Sequence, residues 1–399
     1  MVTSTDTMRI LLIHNHYGGI SGESTVMEVH KSMFSSHGHQ VRCYTRSSVE
    51  LEAMRFGKAR AFFSGFHNPA SVREVKKVVE EFMPDVVHVH NLYPLVSPAI
   101  LPHIRKFGVP VVMTVHNYRL LCPNGLFYNR AGICEECAGG KEWNCVRFNC
   151  EESLPKSIGY ALRNAWARLA RYYLDNVDAF LCLTEFQKQK LIDNGFARDR
   201  CFVLPNFIDE EGTEGTDGNG KNEGVVFIGR LNRQKGADLL VRAASEIPQI
   251  NFNLIGAIDE SVVNQADLPP NVACLGVVSE EVKREMIGNA RILVFPSRSY
   301  EGFPMVFLES MQQGLPVIAP RLAGYPEVIG DNNAGWLFEP ENVQDLVDII
   351  LQAYGDPSLA QHYGRNGKAA VRSLYSPEAW YINYMKVIEH CRSRAERSV

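Results

Sequence analysis

The segment FPSRSYEGFPMVFLESMQQGLPVIAP, Phe295 to Pro320, carries two glutamates, Glu301 and Glu309, that bracket seven residues, five of them apolar. A carboxylate set in MVFLESM is costly to bury without a partner, by roughly several kcal/mol, or else it protonates. It calls for a donor such as a hydroxyl. The apolar run RILVF just ahead reads as a buried strand ending at Pro296, and Pro304 stands where a helix can begin without losing a needed N–H. Such a helix start offers unpaired N–H groups and the positive end of the helix dipole. Both favour an anion, phosphate above all, beside Gly302, Phe303, Pro304 and Met305. The competing reading leaves Glu309 on a solvated helix face and Glu301 in an ordinary loop.

Cations stand in a matching position. In GRLNRQKGADLLVRA, Arg230 follows a strand directly, and Lys235 comes just before a helix expected to begin near Gly236. A rigid guanidinium fork and a mobile ammonium suit a diphosphate that must be held while negative charge grows on it. Each alone also reads as a solvated loop cation. After the first strand, Gly18 and Gly19 would let the backbone approach a ligand closely. There is no clean GxGxxG at that point and no Walker loop, so neither a dinucleotide fingerprint nor a P-loop is supported.

A third group is LLCPNGLFYNRAGICEECAGGKEWNCVRFNC, with Cys122, Cys134, Cys137, Cys145 and Cys150. A CxxC followed by two more cysteines suits a tetrahedral thiolate site, so a structural zinc or an iron–sulfur centre is expected on Cys134, Cys137, Cys145 and Cys150. Cys122 is then the spare or replaces one of the four. Five free thiols without metal is the other reading.

The elements that must position these groups alternate along the chain. MRILLI, VRCYT, DVVHVH, VPVVMTVH and DAFLCL read as parallel strands, with helical spacing between several of them, including a helix from Ser71 over 71–82 capped by that serine. The pattern restarts at Gly224 with VVFIG, FNLIG, VACLG, ILVF and PVIA. The expectation is an α/β protein with two doubly wound Rossmann-like domains facing each other across a cleft. The first spans 1–205, with a cysteine-rich insertion at 118–152, and is completed by a C-terminal helix at 377–399. The second spans 206–376, and the polar stretch 210–224 reads as a flexible boundary loop. Ligands in such sheets bind outside the carboxyl ends of strands, where His116, Arg230 and Glu301 fall.

Composition narrows the class. With 399 residues and a net charge of −4, two ordinary domains are expected and a strongly cationic nucleic-acid binder is excluded. The first seven residues are polar and the apolar run from Ile10 to Ile13 is too short for a signal or a membrane span, so a cytoplasmic protein is expected. Ten cysteines in a reducing compartment should be thiols or metal ligands. Basic, aromatic stretches at 55–66 and around Leu162, Trp166, Leu169 and Tyr173 suit either a peripheral contact with the inner face of the plasma membrane or the core face of a helix.

Taken in order, Gly18-Gly19, PDVVHVHN, TVHN, FIGRLNRQKG, EGFPMVFLE and GLPVIA resemble the retaining glycosyltransferases of family 4, from residue 8 to about 380. The resemblance implies the GT-B fold and transfer of a sugar from a nucleotide-diphosphate sugar to a saccharide or lipid-linked saccharide, in cell-surface polysaccharide biosynthesis. It also implies that Arg230 and Lys235 hold the donor diphosphate, that Glu309 accepts from the ribose, and that Glu301 meets hydroxyls of the donor sugar. The backbone from Phe303 through Pro304 and Met305 to Val306 would bind phosphate and sugar. Val277, in GVVS, would lie along the base, and His116 would stand beside the anomeric carbon. His116 also reads as a structural cap on a neighbouring carbonyl. No cofactor is required for such catalysis. The alternatives are a nucleotide-sugar epimerase of the same fold, a binding protein without turnover, and a redox or metal-sensing protein built on the cysteines.

Overall fold

Runs of β-branched and aliphatic residues form short parallel strands in both halves of the chain. The computed structural model describes residues 7–17, 22–53, 57–209 and 224–396, so Gly18, Gly19 and the polar stretch 210–223 lie outside the described residues. In the first half the strands are β1 (Arg9–His16), β2 (Gln40–Ser47), β3 (Val86–Val89), β4 (Val111–Val115), the hairpin β5 (Tyr128–Asn129) and β6 (Gly132–Ile133), β7 (Ala179–Cys182) and β8 (Cys201–Val203). The second half adds β9 (Val225–Ile228), β10 (Phe252–Ile255), β11 (Val272–Gly276), β12 (Ile292–Val294), β13 (Val317–Pro320) and β14 (Gly335–Phe338). β3, β4 and β7 are buried at every position, as strands covered on both faces must be.

One sheet has the order β2-β1-β3-β4-β7-β8 and the other β11-β10-β9-β12-β13-β14, with parallel neighbours throughout. In each, the order reverses once, between β1 and β3 and between β9 and β12. The second is the doubly wound order in which a ligand crevice opens at the reversal. Two compact units result: Met1–Phe127 with Cys134–Asn206 and Pro377–Val399, and Phe207–Ser376 with Tyr128–Ile133. The second unit is built on Phe227, Leu240, Leu254, Ile292 and Phe338, all fully buried.

Helix starts follow side-chain capping. The helix Pro69–Phe82 begins earlier than the pattern suggests, because Asn68 Oδ1 accepts from Ala70 N at 3.2 Å and proline is favoured in the first turn. Ser71 is therefore inside the helix, and its hydroxyl donates to Leu95 O at 3.0 Å. Thr184, Ser279 and Asn342 cap the helices Glu185–Asp193, Glu280–Asn289 and Val343–Gly355.

The C-terminal helix Pro377–Glu396 packs in the first unit, where it closes a ladder of buried rings. Tyr381 OH lies 2.8 Å from His39 Nε2. Trp380 meets His30 at a centroid distance of 4.2 Å, and Tyr384 stacks on His88 at 5.4 Å. His88 stacks on His90, and His90 on His116. Burial lowers the basicity of every ring in this group. His14 and His88 fall to about 3, His30 and His90 fall well below the ordinary range, and His116 is lowered although the Glu23 charge opposes the effect.

In the unfolded chain these rings titrate near pH 6.5, so below that pH the unfolded state binds protons the folded state refuses. Stability is unaffected above about pH 6.5 and falls as pH drops toward 3, by up to about 1.4 kcal/mol per pH unit for each fully depressed ring. The midpoint of urea unfolding should drop between pH 7 and pH 5, and the drop should be shallower in His88→Gln. A midpoint that does not move in the wild type would contradict the neutral ladder.

Candidate functional site

The reversal in the second sheet sends the chain out of β9 into the loop carrying Arg230 and Lys235, and out of β12 into the loop carrying Glu301. These loops are stitched together by polar contacts. Asn232 Oδ1 accepts from Lys235 N at 3.0 Å, Gln234 Nε2 donates to Ser299 Oγ at 2.9 Å, and Arg298 N donates to Gln234 O at 2.9 Å. Gly236, which precedes the helix Ala237–Glu246, has φ +74, and a Cβ there would lie 2.0 Å from Pro296 O. Only glycine lets the two loops come this close.

Lys235 Nζ lies 2.6 Å from Glu301 Oε1, and Ser297 Oγ donates to the same oxygen at 2.8 Å. Both side chains of the ion pair are about one-sixth exposed, sheltered yet open to a ligand. Arg230 is exposed and reaches Gln234 Oε1 at 3.4 Å. The structure thus gathers Arg230, Lys235 and Glu301 at the sheet's reversal.

The helix that follows runs Met305–Gln312. Pro304 occupies the residue just before it, with φ −70 and ψ 113, rather than its first turn. Phe303, Pro304 and Val306 are buried, and Phe307, Leu308 and Met311 anchor the helix in the core. The first N–H groups of the helix have no carbonyl four residues back. Glu309 is half-buried and its Oε1 accepts from Lys283 Nζ at 3.1 Å. Lys283 also meets Glu280 at 2.6 Å; burial pulls it down, but the charges of Glu309 and Glu280 outweigh this and hold it above its ordinary range. Sequence reasoning misses Lys283, since EEVKREM reads as a solvated helix. Val277 follows β11 and is three-quarters exposed.

In the first unit His116 follows β4. Its Nε2 lies 2.8 Å from His90 Nδ1, so one ring must donate to the other. His90 Nε2 is buried with no hydrogen-bond partner. A bare ring nitrogen is better tolerated there than an orphaned N–H, so His90 donates from Nδ1 and the proton of His116 sits on its own Nδ1. His116 is then a neutral donor. Beside it, Asn117 Nδ2 donates to Glu23 Oε1 at 2.7 Å, and Arg119 Nη1 donates to Tyr17 OH at 2.6 Å. His90, Glu23 and Arg119 escape the sequence reading. For His90 a signal exists: His88 and His90 alternate on one face of β3, beside β4.

The cysteine segment forms two thiol pairs. Cys122 lies beside Cys137 and Cys145 beside Cys150, and Cys122 Sγ donates to Asn124 Oδ1 at 3.0 Å. The neighbouring Cys137 thiol lowers that of Cys122, and Cys145 lowers that of Cys150. Cys134 stands outside both pairs and is within electrostatic reach of Cys150 and Cys122. Among the described residues, the His, Cys, Asp or Glu ligand atoms that all approach within 4.8 Å of one another belong to His30, His88 and His90. The sulfurs are not gathered as closely as a loaded tetrathiolate requires. The histidine trio does not converge on a metal either, since His88 and His90 stack with an interplanar angle of 21°.

Residues 210–370 match the family model described as glycosyl transferases group 1, and residues 20–211 match that of glycosyltransferase family 4. An uncharacterized glycosyltransferase of Methanocaldococcus jannaschii is 28% identical over 333 residues, which is 80% of this chain and 92% of the relative. Sucrose-phosphate synthase from Thermosynechococcus elongatus superposes with a TM-score of 0.72 at 18% identity, over 97% of this chain and all of that one. Anabaena HepE in complex with UDP-glucose superposes with a TM-score of 0.62 at 15% identity, over 97% of this chain and all of that one. These structural likenesses carry the fold, GT-B with its two Rossmann-like units. The two family models together run from residue 20 to residue 370, and the chain belongs to the group 1 glycosyltransferases.

Proposed function

We propose that this glycosyltransferase moves a hexose, with retention, from a nucleotide-diphosphate sugar to a saccharide or lipid-linked saccharide acceptor. The observation that carries the donor reading is the Lys235–Glu301–Ser297 cluster, with Arg230 beside it, at the reversal of the second sheet. Arg230 and Lys235 hold the diphosphate as the anomeric bond breaks and its electron pair leaves with the phosphate. Glu301 and the N–H groups of Phe303, Met305 and Val306 receive the sugar and the phosphate, and Val277 borders the base. Glu309 takes the ribose, exchanging part of its bond to Lys283 for a hydroxyl. Interactions that strengthen as charge separates lower the barrier, whereas uniform binding does not.

A neutral His116 that donates from Nδ1 suits a sugar oxygen and does not suit the role of base. The acceptor oxygen then bonds to the anomeric carbon on the face the diphosphate leaves, and its proton passes to the departing phosphate oxygen. The hexosyl specificity and the assignment to cell-surface polysaccharide biosynthesis rest on the family resemblance. The likeness to HepE, whose structure holds UDP-glucose, favours a nucleotide-sugar partner.

Among the described residues no helix is long and apolar enough to cross a membrane. The proposed setting is cytoplasmic and peripheral to the inner membrane face. A structural metal at the cysteine segment is kept as a proposal, with Cys122 now a candidate ligand beside Cys134, Cys137, Cys145 and Cys150.

Lys235→Ala should lower kcat for release of nucleoside diphosphate by about a hundredfold or more, the loss typical of removing one group that stabilises developing charge. Glu309→Ala should instead weaken binding of the bare nucleoside diphosphate, read by calorimetry. Unchanged turnover in the first variant would remove the donor assignment. Elemental analysis of purified chain should find zinc or iron, lost in Cys137→Ser; a metal-free wild type would dismiss the metal.

A further inference from the structure

Two arginines of the first unit, one buried and one half-buried, have no counter-ion among the described residues. Arg163, on the helix Leu154–Leu169, is 6% exposed. Its guanidinium is stacked between the rings of Tyr93 and Tyr160, at 4.0 and 4.2 Å from their centroids. Its Nη2 donates to Pro123 O at 3.3 Å, and its Nε is buried with no partner. Arg119, in the loop after β4, donates to the Tyr17 hydroxyl, and its Nε is likewise buried and unpaired. Neither arginine forms an ion pair among the described residues. Glu23 and Glu151 act on them only from a distance, and each guanidinium opposes the other. An unmatched charge buried at Arg163, with a second one half-buried at Arg119, is costly to keep. A fold that keeps both leaves room for an anion.

That room exists. Arg119 and Arg163 line an open cavity of about 690 Å³ in the first unit. This is inside the range of roughly 300–1,000 Å³ typical of small-ligand sites. The rest of its wall is largely apolar or aromatic, with Leu51, Phe62, Pro94 and Tyr160 prominent, and Lys156 stands on it as well. The helix Gly57–Phe66 crosses the helix Leu154–Leu169 closely here. A Cβ on Gly65 would sit 2.8 Å from Arg163 Cδ, and one on Gly159 would sit 3.0 Å from Phe62 Cδ2.

The outer side of the same pair of helices is apolar and open. Leu154, Ile158, Leu162, Trp166 and Leu169 recur at helical spacing and are between 38% and 68% exposed, and Phe63 is 67% exposed. The sequence stripe thus faces outward, apart from Tyr173, which is buried. A core helix would hide these side chains. An exposed row of this size beside a cationic, apolar hollow matches a surface that meets lipid.

We propose that this cavity is the acceptor site and that the acceptor is a lipid phosphate. Its phosphoryl group is held by Arg119 and Arg163, and its hydrocarbon runs past Phe62 and Leu51 toward the outer stripe. The arginines act as a charge-matched socket, and no bond is made or broken there. His116 shares a small hollow with Arg119, which places the anion next to the reacting end of the first unit. This assignment of acceptor class rests on the transferase reading, while the binding it predicts does not require turnover.

The test is calorimetry on the full chain with three probes below their aggregation limits: n-decyl phosphate, inorganic phosphate and n-decanol. Decyl phosphate should bind at least tenfold more tightly than either of the others. Arg119→Gln should weaken it tenfold or more, and Arg163→Lys, which keeps the charge but loses the stacked fork, should fall between. Nucleoside diphosphate titrated into the same preparations reports on the second unit, and a near-ultraviolet circular dichroism spectrum unchanged from the wild type shows that the first unit of each variant is folded. Decyl phosphate binding that is unchanged in both variants would overturn the socket. Equal affinity for inorganic phosphate would overturn the lipid and leave a soluble phosphorylated acceptor, and equal affinity for decanol would overturn the anion. Loss of nucleotide binding in the wild type would instead count against the donor reading alone.

Discussion

In a parallel sheet the chain must leave every strand at the same end, so where the strand order reverses, two neighbouring connections depart to opposite faces and leave a gap between them. In the second unit this happens between β9 and β12. What the chain places in the two exits is a guanidinium and an ammonium on one side, and a carboxylate, a hydroxyl and a helix start on the other. Gly236 sets their separation by allowing backbone to lie against the Pro296 carbonyl. The chemistry proposed for the donor depends on this backbone geometry before it depends on any side chain.

The first unit answers a different problem, that of holding polar groups inside a core. Its histidines are kept neutral by burial and arranged in a stack, and the unpaired nitrogen of His90 decides which nitrogen of His116 carries the proton. Arg163 is buried as a charge, supported by aromatic faces and a carbonyl, and the half-buried Arg119 is supported by the Tyr17 hydroxyl; among the described residues neither pairs with an acid. Neutral rings add little to the local field, whereas unmatched guanidinium groups add a strong positive potential. The two halves of this unit are therefore electrically unlike.

Much of this architecture is legible in the residues. Buried parallel strands announce themselves as runs such as RILLI and VVMTV, and Arg230, Lys235 and Glu301 are found because each follows such a run. β8 and β14 escape, since three residues at a sheet edge and a GWLF that opens on glycine carry no periodic signal. The pairing of Glu309 with Lys283 joins two helices, and the socket joins a loop to a helix well beyond it in the chain. Contacts of that kind are made by tertiary packing, and no local pattern encodes them. Cys122 meeting Cys137 belongs to the same class. The exposed stripe on Leu154–Leu169 shows the converse case, a pattern visible in the sequence whose direction only packing decides.

The chain passes out of the first unit after Asn206 and returns to it at Pro377. The rings of Trp380, Tyr381 and Tyr384 are buried in that return, against His30, Phe34 and His39, which are made well before the second unit. On the ribosome the second unit is thus fully emerged before the first can be finished, reversing the usual N-to-C order of domain folding. Until the helix Pro377–Glu396 emerges, the nascent first unit exposes the ring faces of His30, Phe34 and His88, and its maturation waits on a segment made after the whole second unit.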